Sequence, residues 1–163
     1  WLPITPAQEA LLAQSYGAMQ RAIQAVRRVD PNWRPSAQIY ATPDGLIAAN
    51  RAIEREAFRR VDQLRQQGIG LGQYVIETLP ARSHARRFTW EERQAINRMG
   101  QKYGCHTCGT KNPGTRSGNF VIDHQLPSAR NPPGQSQRLV PHCLPCSLRQ
   151  GGFVKRLQDR RTD

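Results

Sequence analysis

Four cysteines at two identical spacings, Cys105-x-x-Cys108 and Cys143-x-x-Cys146, carry the clearest chemistry in this chain. A CxxC pair lets the backbone curl into a knuckle that points both sulfurs at one ion. Two such pairs supply the four thiolates of a tetrahedral zinc site. The alternatives are disulfides, a redox pair, or free core thiols. Disulfides need an oxidising compartment, and two CxxC bridges would cross-link little of the chain. A redox CxxC opens a helix in a βαβ setting, whereas "CHTCGTKNPG" runs into turn residues. A structural Zn2+ is therefore expected, and a unit built around it depends on the metal to fold.

The 34 residues between the pairs exceed the spacing of a short zinc finger, so something is inserted between the knuckles. Within them, "NFVIDHQ" reads as a strand ending in Asp123-His124. Phosphodiester hydrolysis needs an activated water, charge neutralisation at the phosphate and stabilisation of the leaving oxygen. A histidine suits the base role and a carboxylate suits a hard divalent cation. Successive side chains of a strand point to opposite faces. The break expected at Gln125-Leu126-Pro127 should therefore re-aim one of the two.

The insert continues as a loop, a second short strand ("RLVPHC") and a run that can be helical ("SLRQGGFVKRLQD"). With Cys105/Cys108, Asp123-His124 and Cys143/Cys146-Ser147 in this order, residues 104–152 resemble the HNH (ββα-metal, His-Me finger) endonucleases braced by a four-Cys zinc site. The resemblance implies His124 as general base and Asp123 as ligand of a catalytic Mg2+ or other divalent ion. Ser147 stands where the family carries Asn or His as a further ligand, and the middle Asn falls near Gln137-Arg138. Ser147, acting through water, and His142 are the further candidate ligands, and a set drawing on His142 or Gln150 in place of Ser147 is the alternative. Arg130, Arg138 and Arg149 flank the motif and are the expected nucleic-acid contacts. His106, inside the first knuckle, and His84 are expected on the surface.

The fragment is also similar to the C-terminal toxin modules of bacterial polymorphic toxins. That implies delivery by a secretion system as part of a longer protein, action in the target-cell cytoplasm, and a cognate acidic immunity protein. The start "WLPITPAQEA" has neither an initiator Met nor a basic, apolar leader, and the chain is read as a piece of something longer. No apolar run reaches the roughly 18 residues of a membrane span.

The elements that must position these residues are mostly helical at first. Thr5-Pro6-Ala7-Gln8 is a capping box, and Leu12, Tyr16, Met19, Ile23 and Val26 repeat at helical spacing up to Asp30-Pro31. "QIYAT" is a candidate extended piece. A second helix is expected from near Asp44 to Gly68, with Leu46, Ala49, Ile53, Ala57, Val61 and Leu64 buried and Arg51, Arg55 and Arg59 on a solvated face. "GIGLG" (68–72) reads as a linker, 73–79 as a short helix and "PARSHARR" as a basic connector. Thr89 to Glu92 open another helix, through Ile96, Met99 and Tyr103 to Gly104. The fold class is α+β: a helical region over 1–80, then a basic zinc-braced ββα-metal unit over 81–163.

The net charge of +12 favours a polyanionic partner. Residues 1–80 hold nine Arg against seven acidic residues, and residues 81–163 hold fifteen Lys and Arg against five, so the positive charge sits with the cysteines. DNA is the expected partner. RNA is the alternative substrate, and a non-catalytic zinc module that binds nucleic acid is the alternative function. Few aromatics lie near the motif in sequence, which argues mildly against stacking of single strands.

Overall fold

The computed structural model describes residues 3–159. They form α1 (Pro6–Arg27), α2 (Pro43–Gln66), β1 (Leu79–Pro80), α3 (Trp90–Tyr103), β2 (Val121–Gln125), β3 (Arg138–His142) and α4 (Leu144–Asp159). This is a mixed architecture of four helices and one small antiparallel sheet, helical at its N-terminal end. The chain divides into two compact units at Asp62/Gln63, within α2, ahead of the composition change near residue 80.

In the first unit α1 begins at the capping box foreseen, where the Thr5 side chain accepts from the Gln8 backbone and the Gln8 side chain from the Thr5 backbone. Its buried face keeps Met19, Ile23 and Val26 of the expected stripe and departs from it at Ser15, Tyr16 and Ala22. Ser15, Met19, Ala22, Ile23 and Val26 are buried, while Tyr16 is exposed. The reason is polar: Ser15 Oγ accepts from Asn50 Nδ2 at 3.1 Å in the interior, and Ala22, Val26 and Ala57 form a close apolar seam with Trp33 and Val61. Arg60 clasps Asp30 through Nε and Nη2. Arg51, Arg55 and Arg59 are exposed, and "QIYAT" forms no strand.

In the second unit the strands lie in the order β1-β3-β2, so β2 is an edge. Residues 73–79 form no helix. Leu79 and Pro80 pair instead with Leu139 and Arg138 of β3, a pairing that two residues cannot signal alone. Proline is tolerated there because β1 is the other edge and the donor it lacks is not needed. The capping box at Thr89/Glu92 starts α3, whose Ile96 and Met99 pack on Ile122 and Leu139, flanked by Leu79, Phe88 and Tyr103. Ile96 is fully buried. Ile96→Ala is expected to cost about 2–5 kcal/mol through lost burial and a residual cavity, read as a lower urea midpoint for the second unit. An unchanged midpoint would mean that this cluster is not its core.

Among the described residues no helix is long and apolar enough to cross a membrane.

Candidate functional site

The two knuckles meet. α3 ends at Gly104, whose φ of 87° is a left-handed turn that favours glycine. The first knuckle then closes on itself, with Cys105 N donating to Thr110 O and Gly109 N to Cys105 O, both at 2.8 Å. In the second, Ser147 N donates to Cys143 O at the start of α4. His106 N donates to Pro141 O at 2.9 Å and ties the first knuckle to β3. As a result the four sulfurs lie within 4.8 Å of one another, with Cys108 and Cys143 at 3.8 Å. Zinc–thiolate bonds of about 2.3 Å in a tetrahedron put sulfurs about 3.8 Å apart. Burial pushes the Cys143 thiol up to about 11 and Cys146 up as well. A divalent cation is the partner that would draw these thiols into their thiolate form. The cluster fits zinc in number, ligand type and spacing.

The break after β2 does not re-aim either member of the Asp-His pair. β2 pairs with β3 from Val121↔His142 to Gln125↔Arg138, so strict alternation persists and the two side chains go to opposite faces. Asp123 shares its face with Gln125 and His142, and there it is the centre of a buried polar cluster. Its Oδ2 accepts from His106 Nε2 at 3.0 Å, Gln150 Nε2 lies 3.0 Å from both oxygens, and Gln125 Nε2 also donates to Oδ2. His142 Nδ1 lies 3.7 Å from Oδ2, and the His106 and His142 ring centroids are 4.5 Å apart. Both imidazoles are buried, His106 at 1% exposure, contrary to the surface position expected from the sequence. The cause is the backbone bond to Pro141, which turns the first knuckle inward. Burial lowers His142 to about 4, with His106 and Arg149 acting in the same direction and Asp123 opposing. His142 is therefore neutral near pH 7.

The stretch 68–72 is part of this cluster rather than a loose linker. Gly68 O accepts from both Gln125 Nε2 and Gln150 Nε2 at 2.7 Å, Gly70 N donates to Gln125 Oε1, and Gly72 N donates to His106 Nδ1 at 3.1 Å. A Cβ on Gly72 would run into the His106 carbonyl, so only glycine allows this approach. Ser147 does not reach Asp123. It stays in the first turn of α4, and Gln150, one turn further on, makes the contact.

On the opposite face His124 Nε2 donates to Ser83 O at 2.9 Å, and its ring lies against Phe88 with centroids 5.5 Å apart. A neutral ring held through Nε2–H keeps its lone pair on Nδ1. Both members of the pair line one cleft of about 320 Å³ at the free edge of β2, with Arg86, Pro127, Ser128, Gln150 and Lys155. A second cavity of about 490 Å³ also touches Arg86, and is lined by Phe88, Trp90, Arg93 and Gln94. Trp90 is 70% exposed. These aromatics stand some thirty residues ahead of the motif and reach it only through α3 and the connector, which is why local sequence proximity missed them.

The three arginines expected to meet nucleic acid separate. Arg149 is exposed, Arg138 is exposed but bonded to Thr78 through Nε and Nη2, and Arg130 is buried in the turn where its N donates to Pro127 O. His84 is exposed, as expected. No protein-family model, curated protein or solved structure matches this chain.

Proposed function

We propose that this chain is a metal-dependent endonuclease of the HNH type, hydrolysing DNA with little sequence preference. The observation that carries it is the contact of His124 Nε2 with the Ser83 carbonyl, at 2.9 Å. A carbonyl fixes the tautomer, leaving Nδ1 as the proton acceptor, and the residue lines a basic cleft beside a buried carboxylate. His124 takes a proton from the attacking water, and Arg86 and Lys155 hold the phosphate. A divalent cation at Asp123, Mg2+ or another, would neutralise charge at the scissile phosphate. The strand-loop-strand-helix order of β2, β3 and α4, bracketed by the cysteine cluster, supports the same reading. On it, the chain is the toxin or effector domain of a longer secreted protein, and an acidic immunity protein is the partner its +12 charge calls for.

The test is plasmid nicking by zinc-loaded protein with and without added Mg2+ or Mn2+, beside His124→Ala of equal zinc content. Metal-dependent nicking should fall on the order of 10²–10⁴-fold in the variant. Undiminished nicking by the variant would remove His124 from the chemistry. Salt-sensitive DNA binding with no nicking by either protein would leave a zinc-containing binding module. A single-stranded or RNA substrate is a second reading, favoured by Trp90 and Phe88 in the neighbouring cavity. Preferential cutting of single strands, weakened by Trp90→Ala, would select it.

A further inference from the structure

We infer that His106, Asp123 and His142 form a second metal site, taking a transition ion such as Mn2+, Co2+, Ni2+ or Zn2+ through two imidazole nitrogens and one carboxylate oxygen. It rests on the nuclease reading for what the ion would do, but not for the ion's presence. One ligand atom from each residue lies within 4.8 Å of the others. His106 Nε2 and His142 Nδ1 stand 3.0 and 3.7 Å from Asp123 Oδ2. Bonds of about 2.1 Å separate neighbouring donors by about 3.0 Å in an octahedron and about 3.4 Å in a tetrahedron, so the spacing needs only small adjustment.

The independent observation is His142 Nδ1. It is completely buried and has no hydrogen-bond partner. At 3.7 Å from the carboxylate it is too far for a hydrogen bond and well placed for a shared ion. Its other nitrogen, Nε2, lies 3.0 Å from Thr107 Oγ1. With the proton on Nε2 donated to that hydroxyl oxygen, the Nδ1 lone pair faces Asp123, the arrangement by which an outer partner orients a ligating histidine. His106 is the ligand that must adjust. Gly72 N–H points at its Nδ1, so without an ion Nε2 carries the proton and donates to Asp123. Ligation moves that proton to Nδ1 and displaces the Gly72 bond. Two imidazoles select a borderline transition ion over Mg2+, which prefers oxygen. Asp123 and Gln150 line the cleft at the edge of β2, which gives the ion an entry path.

This ligand set accounts for Ser147 without making it a ligand. His106 follows Cys105 and His142 precedes Cys143, so the zinc cluster itself places two of the three groups.

The test is titration of Co2+ into protein carrying one zinc per chain, followed by visible absorption, metal analysis and the amide resonance of Gly72. One further equivalent should bind with the d–d bands of nitrogen and oxygen ligands. The near-ultraviolet band of cobalt–thiolate bonds should be absent, and the Gly72 amide should shift. His142→Gln and His106→Gln should each weaken that equivalent about 100-fold. Retained zinc and a cooperative melt show that the variants fold. Should neither fold, the Gly72 shift and paramagnetic broadening of both imidazoles in the unaltered protein decide. No further equivalent, or one unchanged in folded variants, overturns the site. A second equivalent in a protein that never nicks would leave the site and remove the nuclease reading. Mg2+-dependent nicking retained by folded His106→Gln and His142→Gln, with cobalt binding unchanged, would do the reverse.

Discussion

Stripping zinc from the protein with a strong chelator is expected to unfold the second unit and leave the first folded. The sulfurs are part of the second unit's interior: Cys105, Cys143 and Cys146 are buried together with Phe120 as one of its apolar clusters. Its other cluster is small, built on Ile96, Met99, Ile122 and Leu139. Structural zinc contributes about 10–16 kcal/mol to the folding of small zinc-built peptides, and a whole domain is stable by only about 5–15 kcal/mol. Losing the ion therefore exceeds what the apolar cluster can offset. The first unit has its own seam of Ala22, Val26 and Ala57 and holds no cysteine. Amide exchange should show protection lost at Asp123 and Val140, which pair across β2 and β3, and kept at Val26 and Ala57. Full protection of β2 and β3 after metal analysis shows the zinc gone would mean that the cluster does not hold this fold together.

What was legible beforehand was what neighbours in sequence determine. Thr5 and Thr89 announce helices because a capping box closes within three residues. Each CxxC pair announces a ligand pair for the same reason. The strand-loop-strand-helix order could be read because turn residues separate the segments. What was not legible depends on distant partners. Leu79-Pro80 becomes a strand only because β3 lies beside it. His106 turns inward only because Pro141 accepts its N–H. The glycines at 68, 70 and 72 resemble a linker until Gln125, Gln150 and His106 are seen to use their backbone groups. The consequence falls on the site itself: Asp123 was recognisable, but three of the side chains that surround it, His106, His142 and Gln150, come from other segments.

Asp123→Ala is expected to destabilise the zinc-loaded protein by about 3–5 kcal/mol even with no second metal present. Removing one partner of a buried polar or charged cluster leaves the others unsatisfied in the interior. Here the carboxylate accepts from His106, Gln125 and Gln150, all of them buried. The two glutamines keep Gly68 O as an acceptor, so their loss is partial. The Nε2–H of His106 retains only Thr107 Oγ1, at 3.4 Å. Asp123→Asn keeps one acceptor oxygen and should cost less than alanine. Gln150→Met removes a donor instead of the acceptor and should cost only about 1 kcal/mol. Urea unfolding of the three variants at equal zinc content gives the order. A stability for Asp123→Ala within about 0.5 kcal/mol of the parent would mean that water or a local rearrangement satisfies those donors. The same energetics bear on how activity is tested. Lost nicking in an Asp123 variant mixes chemistry with folding. Among the described residues the His124 side chain makes one hydrogen bond, to the Ser83 carbonyl, so its substitution bears more directly on the chemistry.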